Sequence, residues 1–171
     1  PLAIKDNIDT AGIPTSAGTP ALRGHRPGSD APIVAGLYAA GAILLGKTNM
    51  HELAFGYTTN NATFGAARNP YDRQRIPGGS SGGTAVAIAA RIAPPALGTD
   101  TVGSVRVPAA LCGIAGLRPS AGRYPGAGIV PLSHTRDTAG PMARSLVDLV
   151  LLDSVITGDA SPVEPVAWKG L

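Results

Sequence analysis

Apolar and polar positions along the chain alternate in short blocks, separated by glycine, proline and small polar residues. The first block, "PLAIKDNID", opens with an apolar run that predicts a buried strand ending near Lys5, and the turn-rich "TAGIPTSAGTP" follows it. In "GSDAPIVAGLYAAG", Ser29 or Asp30 is placed to cap, Pro32 falls in the first turn and Gly41 lies just past the end, so a helix is expected near residues 31–40. "AILLGKT" then reads as a buried strand. Asn49 with Glu52 three residues on forms a capping-box pattern for a short helix leading into "LAFG". "GGTAVAIAARIAP" is almost wholly apolar and predicts a buried helix closed by Pro94. "ALGTDTVGSVRVPA" and "AGLRPSAG" read as further strand and turn units, and Ser145 with Asp148 caps a last helix, "SLVDLVLLDSVITG". Helices alternating with short buried strands imply a layered α/β fold.

Composition agrees with a folded chain: of 171 residues 44% are hydrophobic and 15% charged, enough to bury a substantial core. The 23 glycines and 16 prolines are spread without period, which points to many tight turns and no low-complexity tail. A net charge of +3 comes from scattered Arg and Lys among only seven aromatics, so neither composition nor patterning suggests a nucleic-acid partner. The single Cys112 forms no internal disulfide, and no apolar stretch is long enough to span a bilayer, so a soluble, cytoplasmic protein is expected. Both ends read as cut, "PLAIKDN" starting inside a strand and "VAWKGL" stopping without a terminating element. The expectation is a single partial domain over residues 1–171 of a longer protein.

Three motifs compete for the chemistry. "GAILLGKT", Gly41 to Thr48, matches the P-loop spacing, but Ala42 to Leu45 themselves read as strand where a phosphate cradle needs a loop of backbone N–H groups. "GGSSGG" satisfies the G-x-S-x-G nucleophile elbow twice, once on Ser80 and once on Ser81, yet the preceding "DRQRIPG" is charged and proline-broken where an elbow needs a strand. His25, His51 and His134 lack orienting neighbours, and His51–Glu52 lacks the second histidine of a zinc motif. Cys112, in "ALCGIAG", reads as a buried packing thiol.

The third pattern joins separated pieces: "IKDN" around Lys5, "PGGSSGG" around Ser80 and "GTDTVGSVRVPAALCGIAGLRPS" around Ser104. With "GKTNMHELAFG", "RNPYD" and "DTAGPMARS", and with 75 residues from Lys5 to Ser80 and 24 more to Ser104, these resemble the amidase signature family. The resemblance implies a layered α/β/α core with a mixed central sheet, incomplete in this chain. It also implies hydrolysis of a carboxamide to an acid and ammonia through an acyl-serine intermediate, without metal or organic cofactor. Residue by residue, it places the nucleophile on Ser104, a bridging serine after a cis peptide bond on Ser80, and the base on Lys5. An oxyanion hole falls on Thr101, Val102, Gly103 and Ser104, and a supporting set on Ser81, Asp100 and Arg106. The context is closer to hydrolases of indoleacetamide and mandelamide than to the transamidation subunit, so an arylacetamide-type substrate is expected. The alternatives are a glutaminase-type A subunit of a tRNA-dependent amidotransferase and, from another class, a P-loop nucleotide-binding protein. The implied partner is a small-molecule amide, with no nucleic acid or membrane, and self-association into a homo-oligomer is left open.

The chemistry suits these residue types. A serine hydroxyl needs a base within hydrogen-bond reach, and a lysine serves only when burial lowers its pKa from about 10.4. Ser80 would relay the proton between Ser104 and Lys5. The family usually has two glycines before its nucleophile, whereas this chain has Val102 and Gly103. A β-branched Val102 resists positive φ, so either the oxyanion hole is distorted or Val102 only trims acyl space.

Overall fold

The computed structural model describes residues 1–161, and "VAWKGL" lies outside the described residues. Seven strands are present among the described residues: β1 (Leu2–Lys5), β2 (Leu44–Thr48), β3 (Asn60–Asn61), β4 (Gly65–Ala66), β5 (Pro95–Asp100), β6 (Ala115–Gly116) and β7 (Thr138–Ala143). The described residues also form four α-helices, α1 (Pro32–Ala39), α2 (Gly82–Ala89), α3 (Arg106–Leu111) and α4 (Leu146–Thr157). Five strands form one sheet in the order β2-β1-β5-β7-β6, while β3 and β4 make a separate two-stranded ladder. β1 runs parallel to β2 and β5, and β7 runs antiparallel to β5 and β6, so the sheet is mixed.

The two-residue period of the strands sorts the core into two layers. Leu2 and Ile4 of β1, Leu97 of β5 and Ala139 of β7 pack with Ile33, Val34 and Leu37 of α1 and Leu152 of α4. On the opposite face Ala3, Ala96 and Met142 pack with Ala85 and Ile88 of α2 and with Ala109 and Cys112 around α3. Small residues dominate this second face, which lets α2 lie close to the sheet. Lys5 follows Ala3 on that same side, at the C-terminal end of β1.

Several predicted elements shift. Helix α1 is capped by Ala31, not Ser29 or Asp30, because the Asp30 carboxylate takes the Ala11 N–H at 2.7 Å. The strand expected to be buried over "AILLGKT" shortens to β2 and lies at the sheet edge, leaving Leu45 51% exposed. The Asn49–Glu52 capping box does not form: Asn49 accepts the Met50 N–H and donates to the Gly65 carbonyl, and only a 3-10 turn, Glu52–Ala54, follows. Positive φ at Leu53 and Ala54 ends that turn. Helix α2 stops at Ala89, well before Pro94, because Arg91 takes φ +61° and the chain turns back into β5. The final helix starts as expected, with Ser145 accepting the Asp148 N–H at 3.2 Å and Gly158 in the left-handed region beyond its end.

Candidate active site

The parallel strands β1 and β5 end side by side, and their C-terminal ends carry Lys5, Thr99 and Asp100. Ser80 and Ser81 stand immediately before α2, which packs over that end of the sheet. The turn that delivers Ser80 needs its glycines. Gly78 takes φ +85°, and a Cβ there would meet Pro108 of α3 at 2.8 Å. The Gly79–Ser80 peptide bond is cis. Thr59 clamps this turn, donating from its hydroxyl to the Gly78 carbonyl at 2.8 Å and accepting the Gly82 N–H at 3.1 Å. The Ser80 carbonyl accepts the His51 N–H at 3.0 Å.

Lys5 is wholly buried, and its Nζ lies 2.7 Å from both Ser80 Oγ and Thr99 Oγ1. Burial drives its pKa down to about 7, against the opposing pull of the Asp100 and Asp137 carboxylates. Both close partners are neutral hydroxyls, so nothing in direct contact restores the cation. Ser81 binds the neighbouring pieces together: its Oγ donates to the Thr99 carbonyl at 3.1 Å, and its N–H donates to the Ser104 carbonyl at 3.2 Å.

Asp100 organises the turn that carries Ser104. It is fully buried and accepts the Gly103 N–H at 2.7 Å, the Val105 N–H at 3.1 Å and the Arg106 guanidinium at 3.1 Å through both Nε and Nη2. Burial opposes its ionisation, but the hydrogen bonds from Arg106, Val105 and Gly103 outweigh it and hold the carboxyl below the usual carboxylate range. Arg118 adds a hydrogen bond to the Asp100 carbonyl at 2.8 Å. Thr101 donates its hydroxyl to Asp137, which fastens the same turn to the segment ahead of β7.

The four positions read as an oxyanion hole separate here. The Gly103 N–H is committed to Asp100, and Gly103 supplies a φ of +134° that other residues rarely adopt. Among the described residues the N–H groups of Thr101, Val102 and Ser104 meet no acceptor. Val102 is not among the residues with positive φ, so its β-branch does not strain the turn; its side chain stays 56% exposed. It lines a cavity of about 200 Å³ with Phe55, Tyr57, Leu132 and Ser104. Ser104 is 5% exposed, and its hydroxyl makes no hydrogen bond among the described residues.

Of the competing motifs, the P-loop reading fails on geometry. Gly46 and Lys47 belong to β2, and Lys47 Nζ is spent on the Ile8 carbonyl at 2.7 Å, Thr15 Oγ1 at 3.1 Å and Asp6 at 3.5 Å. Cys112 is buried with its thiol pushed up to about 11 by burial, as expected of a packing residue. Sequence reasoning missed Thr99, Asn7, Thr59, Arg118 and Asp137. All but Thr59 lay in segments already singled out: Asn7 in "IKDN", Thr99 in "GTDTVGSVRVPAALCGIAGLRPS", Arg118 in "AGLRPSAG" and Asp137 in "DTAGPMARS".

Known proteins resemble this chain in sequence and fold. The chain is 52% identical over all 171 residues to an indoleacetamide hydrolase of Rhizobium radiobacter, covering 37% of that protein, and 53% identical to a mandelamide hydrolase of Pseudomonas putida, covering 34%. A crystal structure of an amidase superimposes with a TM-score of 0.92 at 46% identity, over 97% of this chain and 38% of that one. The chain thus spans little more than a third of the length of the relatives it matches. The Amidase family model matches residues 1–165, and the chain belongs to the amidase family.

Proposed function

We propose that this chain carries the catalytic core of an amidase that cleaves a carboxamide to a carboxylic acid and ammonia. One observation carries the reading: a wholly buried lysine, with its pKa lowered to about 7, lies 2.7 Å from the serine that precedes α2. In the proposed cycle Ser104 Oγ attacks the amide carbon as its proton passes through Ser80 to Lys5. The N–H groups of Thr101, Val102 and Ser104 face the developing oxyanion, while Asp100 holds their turn through Gly103. Lys5 returns the proton through Ser80 to the departing nitrogen, ammonia leaves, and water hydrolyses acyl-Ser104 by the same relay in reverse. Every proton taken from a nucleophile is thereby given back. Arg106 and Arg118 act through Asp100, and Ser81 through Thr99 and the Ser104 carbonyl.

The apolar walls of Phe55, Tyr57, Val102 and Leu132 beside Ser104 support an aryl-bearing acyl group, in keeping with the relatives named for indoleacetamide and mandelamide. Ammonia release from arylacetamides, measured beside release from glutamine with and without protein partners, tests the reading. Glutamine as the preferred amide would overturn the arylacetamide assignment in favour of a glutaminase. Mass spectrometry after phenylmethylsulfonyl fluoride treatment should find the adduct on Ser104; an adduct on Ser80 alone would reverse the two serines.

Val102 provides a separate test. Because its backbone needs no positive φ, Val102→Gly is expected to leave small amides unchanged and alter kcat/KM for bulky ones by about 10- to 200-fold, the range for a hydrophobic pocket residue. Equal gains on small and bulky amides would mean that the valine strains the oxyanion turn after all.

The partial-domain reading is likewise a proposal. It is supported by apolar surface on two sides of the described fold: Leu146, Val147 and Leu151 on α4, and Ile43, Leu45 and Ile92 near the β2 edge. Uncovered surface of this kind favours association. The 171 residues alone are expected to self-associate at micromolar concentration in sedimentation velocity. A monodisperse monomer with cooperative unfolding would contradict this.

A further inference from the structure

Asn7 lies two residues beyond Lys5, is 2% exposed and makes no hydrogen bond to either serine of the site. Its Nδ2 donates to Thr99 Oγ1 at 3.1 Å, and its backbone carbonyl accepts the Val130 N–H at 2.9 Å, which pins it from the other side. Among the described residues its Oδ1 is buried without a partner. A buried amide with one unpartnered end is a poor choice for stability alone, since the desolvated oxygen carries a cost that an apolar residue would avoid. The half that is bonded reaches the hydroxyl that touches Lys5.

We infer that Asn7 is a positioning residue that orients the Lys5 amine toward Ser80 by fixing the hydroxyl of Thr99. The inference rests on the reading of Lys5 as the base. A hydroxyl has one proton and two lone pairs. At Thr99 the lone pairs are taken by Asn7 Nδ2 and Lys5 Nζ. A neutral amine that gives one N–H to Thr99 keeps its own lone pair for the Ser80 proton, 2.7 Å away. Without Asn7 the Thr99 hydroxyl is free to rotate and donate into that lone pair, which silences the base. An amide also does this without charge, whereas a carboxylate at the same place would favour the cation.

The charged surroundings of Lys5 make that last point measurable. Asp100 on β5 is engaged by Arg106 and Arg118, and Asp137 ahead of β7 by Thr101 and the N–H groups of Leu132 and Ser133. From β2, Lys47 is turned to Asp6 and the Ile8 carbonyl, and α2 with the turn before it presents Ser80, Ser81 and Thr84 with no charge. A new carboxylate at position 7 would stand one hydroxyl, that of Thr99, away from the Lys5 amine and without a cation of its own.

The test is the pH profile of kcat/KM for Asn7→Asp, Thr99→Val, Thr99→Ser and Lys5→Met in the full-length protein. Asn7→Asp is expected to move the acidic limb up by about one pH unit, with roughly fivefold less activity at pH 7. Thr99→Val removes an acceptor of the cation, so its limb should move down while kcat falls about 10- to 100-fold at unchanged KM. Thr99→Ser should restore both limb and kcat, which a role in packing alone would not produce. Asn7→Asp and Thr99→Val profiles that keep the parent's limb would overturn the inference even if Lys5→Met is inactive. An active Lys5→Met with the parent's limb would overturn the base assignment, and this inference with it.

Discussion

Ser104→Ala is expected to abolish amide hydrolysis, by a factor on the order of 10⁶, whereas Ser80→Ala should lose about 10² to 10⁴ and keep measurable turnover. The asymmetry follows from what each hydroxyl does in the proposed cycle. Ser104 forms the bond to carbon, and no neighbouring group substitutes for it. Ser80 passes a proton between Ser104 and Lys5, and a water in the space left by its hydroxyl could pass the proton less well. Ser80 also holds Lys5, so its loss should disturb the acidic limb of the pH profile, while trace activity in Ser104→Ala should carry no acyl-enzyme burst. Comparable residual rates for the two variants, or a burst in Ser104→Ala, would remove the division of labour between the two serines.

Much of the site was legible because its chemistry sits on unusual local sequence. Lysine directly after an apolar strand, paired serines among four glycines and a serine after "TVG" are conspicuous in one dimension, and their spacing carried the resemblance to the family. Thr99 and Asn7 were not legible. A threonine at the end of a strand and an asparagine in a turn are ordinary choices, and only the parallel register of β1 and β5 brings Thr99 Oγ1 against Lys5. The same limit hid β7. "TAGPMA" has a glycine and a proline where a central strand favours β-branched residues, yet all six positions are buried and paired with β5. Pro141 is tolerated because it lies at the end of the β6 ladder, where its carbonyl still accepts the Leu117 N–H at 3.0 Å and only its missing N–H is lost. At β2 the opposite error arose: an apolar run read as central became an edge strand, because hydrophobicity does not state how many neighbours a strand has.

The second large effect concerns the cost of keeping Lys5 buried. Lys5→Met should eliminate activity yet raise stability at neutral pH. The unfolded chain holds the lysine proton up to about pH 10.4, while burial in the folded protein lowers that point to about 7. Between these values unfolding takes up a proton, so this group makes the native protein more stable as pH rises through the window. Below pH 7 the lysine is protonated in both states, and the full penalty applies. At about 1.4 kcal/mol per pH unit, that penalty is roughly 5 kcal/mol. Methionine escapes it but leaves the Ser80 and Thr99 hydroxyls without their lysine partner, which costs back about 1 kcal/mol each. The expected net gain is about 2 to 3 kcal/mol near pH 7 in denaturant melts of the full-length protein, falling to zero at about pH 9 and turning into a loss of about 2 kcal/mol by pH 10.5. A gain that persists unchanged to pH 10.5 would assign it to methionine packing and leave the buried lysine without the charge penalty on which its role as a base depends.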